Sequence, residues 1–225
     1  RELLAAGATV DMVMGEHRST VLMQAAGNNW LDAVRLLFEF NANPNVVNKG
    51  GATALYCAAQ EGHAAITRLI VEHGADLNKQ AVNGNTALHA AAEEGHIECV
   101  HILLDAGAEI DLKNKKGRTP AKCALLYEHS PTLELLLRHG ANAHLAAVLP
   151  DEAIASEEEK EDGGAILGAL NQQPSFIHLL ADHGGICQEE DLDFHVSFNG
   201  RTHVLRALRQ VGGDAWCSGG GGINA

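Results

Sequence analysis

The stretch TALHAAAEEGHIECVHILLDAGAEID, Thr86–Asp111, decides how the rest of the chain is read. Its opening threonine has counterparts at Thr20, Thr53 and Thr119, each 33 residues from the next. Thr86 is placed to cap a short first helix, its hydroxyl accepting from a backbone N–H of the opening turn. Leu88, Ala91 and Ala92 fall on one helical face. Gly95 ends that helix. The second helix is bulkier, with Cys99, Val100, Ile102, Leu103 and Leu104, and Gly107 suits the left-handed residue that closes it. Ala108–Asp111 then starts an extended segment leading to a turn at Asn114 and Gly117. Neither helix can bury its apolar face alone, so units of this kind must stack.

Working outward, the unit from Thr53 carries Leu55, Ala58, Ala59, Gly62, His63, Ile66, Leu69, Ile70 and Gly74 in the same places. The unit from Thr20 has Leu22, Ala25, Ala26, Val34, Leu36 and Leu37, with Trp30 where the next units have His63 and His96. Asn41 replaces the closing glycine, and Asn is the residue that best tolerates the left-handed region after Gly. The turn before this unit is one residue longer than the others. In the unit from Thr119, Pro120 sits at the first helical position, where its missing N–H costs nothing.

A 33-residue period with a Thr-x-Leu-His-x-Ala opening and a Gly-Ala ending resembles the ankyrin repeat, over roughly residues 3–214. The resemblance implies an all-α solenoid of helix-turn-helix units joined by short β-hairpin-like turns, five to six repeats in all. A partial repeat occupies 1–15, followed by repeats near 16–47, 48–80, 81–113 and 114–144. Beyond Ala141 the text Leu179–Gly184 restates Leu135–Gly140 about eleven residues late, which places an acidic insertion at 145–162. Degenerate repeats are expected at 163–187 and 188–214, the latter as a cap, and a flexible glycine-rich tail at 215–225. Arg1 opens the chain inside a second helix, so the sequence reads as a segment of a longer protein.

The 225 residues are 46% apolar and 20% charged, an ordinary globular composition without an apolar run long enough to span a membrane. Residues 1–144 hold 16 acidic and 12 basic residues, and residues 145–225 hold 13 and 4. That balance argues against a nucleic-acid face. No membrane partner, cofactor or small-molecule ligand is expected, and the domain is expected to be monomeric.

Thirteen histidines invite a metal or catalytic reading, and the register answers most of it. His63, His96 and His129 each follow a repeat threonine by ten residues; His73 and His139 follow by twenty, with His183 matching them, and His89 follows by three. The family resemblance implies that such histidines hydrogen-bond loops and turns between units. No HExxH-type pair is present, so neither a metal nor a catalytic residue is expected. The five cysteines show no CxxC pair, which fits a reducing compartment. Cys99 reads as core, and Cys57 and Cys123 as partly exposed equivalents. The Gly219–Gly222 run lacks the Lys-Ser/Thr and helix of a phosphate loop. Asn78 resembles the hairpin asparagines that asparaginyl hydroxylases accept in this family, and it is also simply a good turn residue.

The resemblance implies that a protein partner binds the concave side, formed by hairpin tips and the exposed ends of first helices. Carried onto this sequence, those positions are Lys49, Gln60, Glu61, Asn85, Glu93, Glu94, Lys115, Lys116, Arg118 and Tyr127. They give an acidic centre and a basic tip, extended by Lys113, with a tyrosine beside it. Such charges fit partner contact and equally fit plain solvated turns. The expected function is a non-catalytic intracellular scaffold, cytoplasmic or nuclear. The alternative is the regulatory segment of a larger enzyme or channel. The acidic insertion is expected to lie over the basic tip as a weak lid, with a plain solvated loop as its rival.

Overall fold

The computed structural model describes residues 9–147 together with residues 179, 180, 182 and 183. The chain divides into two units, one ending at Ala141 and one beginning at Asn142. Most of the acidic insertion, both degenerate repeats apart from those four residues, the tail, and the first half of the partial repeat lie outside the described residues.

Among its described residues the first unit contains four helix pairs in chain order. They are α1 (Val21–Gly27) with α2 (Leu31–Glu39), α3 (Ala54–Gln60) with α4 (Ala64–Glu72), α5 (Ala87–Glu93) with α6 (Ile97–Asp105), and α7 (Pro120–Leu126) with α8 (Ser130–Arg138). Each first helix starts as its sequence dictates. The hydroxyls of Thr20, Thr53, Thr86 and Thr119 accept from the backbone N–H three residues on, at 3.2, 3.2, 3.4 and 3.2 Å. Each pair is joined through one left-handed residue: Asn29, Gly62, Gly95 or Glu128. Each second helix is closed by another, and Asn41 (φ 57°) takes this conformation where Gly74, Gly107 and Gly140 stand in later units.

The first helices α1, α3, α5 and α7 pack in one row and the second helices α2, α4, α6 and α8 in another. Ala25, Ala26, Ala58, Ala59, Ala91, Ala92 and Ala124 are fully buried, the small side chains that let the first row pack closely. The bulk lies between the rows and along the second: Leu22, Leu55, Ile66, Ile70, Leu88, Leu103, Leu133 and Leu136 are all buried. Each such side chain contributes roughly 1.5–3 kcal/mol of burial.

The longer first turn closes as a small antiparallel ribbon, β1 (Val13–Met14) on β2 (Ser19–Thr20). Its extra length is taken up around Gly15 and Arg18, both left-handed. The later turns contain no strand among the described residues.

The second unit begins with α9 (Ala143–Ala147). Residues 145–147 are therefore helical, whereas the sequence assigns them to the start of the acidic insertion. Asn142 starts this helix, its side chain accepting from the Leu145 N–H and its carbonyl from that of Ala146. Leu180 is buried, and His183 Nδ1 donates to the Leu179 carbonyl at 2.9 Å. That is the bond His73 makes to Leu69 and His139 to Leu135 in the first unit. No helix among the described residues is long and apolar enough to cross a membrane.

Candidate protein-binding surface

The hairpin tips are built by their own asparagines. Asn48 Oδ1 accepts from the N–H groups of Gly50 and Ala52, and Asn114 Oδ1 from those of Lys116 and Arg118. The middle tip has Ala81 in this place, and Gln80 substitutes by donating to the Gly84 and Lys113 carbonyls. Successive tips are then tied by one backbone bond each. Lys49 N–H donates to His17, Val82 to Gly50 and Lys115 to Asn83, at 2.9, 2.8 and 3.1 Å. The close approach needs glycine: a Cβ on Gly84 would sit 2.5 Å from the Lys115 nitrogen.

The far ends of the first helices are tied by histidines. Nε2 of His63, His96 and His129 donates to the carbonyls of Gly27, Gln60 and Glu93, one unit back, at 3.1, 3.0 and 3.0 Å. His89 works at the other end. Its Nδ1 accepts from the Thr86 N–H at 3.2 Å and its Nε2 donates to the Arg118 carbonyl at 3.0 Å. It is wholly buried, and burial pushes its pKa down, so it is a neutral cross-link. These four histidines bond between units as expected. His73 and His139 instead donate from Nδ1 to Leu69 and Leu135 of their own helices.

Around these ties the ten candidate contact residues divide. Lys49, Gln60, Glu61, Glu94, Lys115 and Lys116 are exposed, Arg118 is half-buried, and Lys113 is exposed beside them. Asn85, Glu93 and Tyr127 are joined to one another. Asn85 is only 6% exposed. Its amide donates to Glu93 Oε2 at 3.2 Å, and its Oδ1 accepts from Asn114 Nδ2 at 2.7 Å. It is thus a buried strut and not the open tip residue that the register suggests. The half-buried Glu93 also accepts from the Tyr127 hydroxyl, which raises the tyrosine pKa, with burial adding to it. Tyr127 still shows 46% of its surface. Tyr56 joins through hydrogen bonds with Asn85 and Asn83, and burial raises its pKa. Sequence reasoning missed Tyr56, Asn83 and Asn114, which the register treats as ordinary helix and turn residues.

Among the described residues Cys57, Cys99 and Cys123 form no disulfide. Cys99 is core, in contact with Thr67 Oγ1, as its register implies. Cys57 is half-buried, and burial pushes its thiol up to about 11, so it is a poor nucleophile. Cys123, expected to be partly exposed like Cys57, is buried. Cys57 lies against Gly27, which has no side chain to cover it. By register, the counterpart of Gly27 beside Cys123 is Glu93. Asn78 is a turn clamp: its Oδ1 accepts from the Glu109 N–H at 2.9 Å and its amide donates to Glu109 Oε1 at 3.0 Å.

A family model described as "Ankyrin repeats (3 copies)" matches residues 1–81 and again 78–147. Together these are 147 of the 225 residues. No curated protein matches the chain.

Proposed function

Since the chain belongs to the ankyrin-repeat family, whose members generally mediate protein–protein interaction, we propose that it is a non-catalytic scaffold. Its partner docks on the hairpin tips and the ends of the first helices. The observation that carries this is the bonded set Tyr56, Asn85, Asn114, Glu93 and Tyr127, which crosses three repeats beneath exposed charges. A surface held in place before binding loses less conformational entropy when a partner arrives. Tyr127 supplies the exposed aromatic, and tyrosine beside arginine is enriched where binding energy concentrates. Lys113, Lys115 and Lys116 give one end of the surface a positive face suited to an acidic segment of the partner. Described cysteines that form no disulfide support an intracellular setting, cytoplasmic or nuclear.

The test is affinity capture from cell extract with three forms of the chain, read by quantitative mass spectrometry: wild type, Tyr127→Ala, and the double variant Lys115→Glu/Lys116→Glu. Proteins held by the wild type should be lost from both variants. An identical captured set in all three would place the binding surface elsewhere.

A further inference from the structure

On the second helices of the third and fourth units, three donor-bearing side chains converge. His101 and Asp105 stand one turn apart on α6, and His139 closes α8 of the next unit. One donor atom from each lies within 4.8 Å of the others. All three are exposed. His101 Nδ1 is 2.8 Å from Asp105 Oδ2, and the two imidazole rings meet edge to face with centroids 5.7 Å apart.

The repeat pattern does not require this arrangement. The positions of His101 and Asp105 are Arg35 and Glu39, Arg68 and Glu72, and Glu134 and Arg138 in the units from Thr20, Thr53 and Thr119. In those three a guanidinium and a carboxylate stand one turn apart, as in the Arg138–Glu134 ion pair. Among these four units the third alone carries a histidine and an aspartate here, a pair that recurs in sequence as His178 and Asp182, and in it the next unit brings a second imidazole against them. His73 shows the contrast: it occupies the place of His139 but stacks flat on Phe38, ring centroids 4.0 Å apart. The structural account that covers His63, His96 and His129 does not reach His101, which stands outside that register.

The imidazole of His139 is also set in a ligating form. Its Nδ1 is 2.9 Å from the Leu135 carbonyl. A carbonyl only accepts, so the ring hydrogen sits on Nδ1 and the lone pair on Nε2. A backbone carbonyl fixing the tautomer and orientation of the ring is the usual support for a metal-bound histidine. Two imidazoles and a carboxylate suit zinc-class ions, with water filling the remaining position. Donors bonded to one zinc stand about 3.3 Å apart, given bonds of roughly 2.0–2.2 Å. Exposed side chains on fixed helices can close from 4.8 Å to that spacing by small rotations.

We propose that His101, Asp105 and His139 form a binding site for a divalent transition-metal ion of the zinc class, which ties α6 to α8 across the boundary between two repeats. The ion binds the folded stack and therefore stabilises it, by an amount that grows with the logarithm of free metal above the dissociation constant. The site is independent of the partner surface: its failure would leave the scaffold reading untouched.

The test is a calorimetric titration of zinc chloride into the 225-residue chain stripped of metal by chelation. His101→Gln, Asp105→Asn, His139→Gln and His73→Gln are run beside it, with circular dichroism to confirm that each is folded. One saturable zinc per chain is expected. Affinity should fall by about tenfold or more in His101→Gln and His139→Gln, fall in Asp105→Asn, and stay unchanged in His73→Gln. Zinc should also raise the melting temperature of the wild type and leave that of His101→Gln where it was. Absence of saturable binding, or wild-type affinity in both His101→Gln and His139→Gln, overturns the site.

Discussion

His89 is the residue at which chemistry and fold meet most tightly. Its Nδ1 accepts from the backbone that starts its own helix while its Nε2 donates to the next hairpin. Protonation would put a hydrogen where Nδ1 must accept. Burial lowers its pKa; backbone bonds to Arg118 and Leu112 and the charge of Glu93 pull upward but are outweighed. In the unfolded chain the ring titrates near 6.5. The stability that depends on neutral His89 is therefore complete above about pH 6.5 and declines as pH falls from there toward the folded-state value. The slope is at most about 1.4 kcal/mol per pH unit for one proton. Melting temperatures at pH 7.5 and 5.5 should differ more for the wild type than for His89→Gln. Gly95 offers a second test. It has φ 74°, and an added Cβ would lie 2.5 Å from His129 Nδ1. Gly95→Ala should cost about 1–3 kcal/mol, and the cost should shrink in a His129→Ala background, since the clash is then gone. These histidine ties were legible in the sequence because the period brings like residues into like surroundings. Asn85 was not legible, because Asn114 meets it from the next turn; nor was Cys123, whose register neighbour is Glu93 where Cys57 has the bare Gly27.

At the level of elements, the alternation of a small-residue helix with a bulky one could be read directly. Seven-residue first helices rich in alanine and nine-residue second helices appear where the threonines and glycines place them. Leu103 shows what the bulky helix does. It is fully buried between neighbours of its own kind, and Leu103→Ala should cost on the order of 2–5 kcal/mol through the cavity it leaves. Glu94→Ala, at an exposed helix end, should cost under about 0.5 kcal/mol. Chemical denaturation separates the two, with the Leu103→Ala midpoint falling well below that of Glu94→Ala. The helix at Ala143–Ala147 was missed for a reason of the same kind. The period slips there, and the local signals, Asn142 followed by Ala-His-Leu-Ala-Ala, carry the backbone without it.

In the whole stack of the first unit, stability should run from the middle outward. The helix pairs from Ala54 and Ala87 have a pair on either side. The β1–β2 ribbon has exposed residues at its edge. Hydrogen exchange should find slow amides in 55–72 and 88–105 and fast ones in 9–18; uniform protection across 9–105 would contradict that order. The backbone rungs, the histidine ties and the asparagine clamps share one property: each reaches only into the adjoining unit, 29 to 36 residues away. No bond among them skips a repeat. Under tension applied at its two ends the stack would therefore behave as a spring of separate coils, giving way one interface at a time. Each coil that lets go frees 33 residues, or about 110 Å of extended chain, so a force–extension trace should rise and drop at that regular interval.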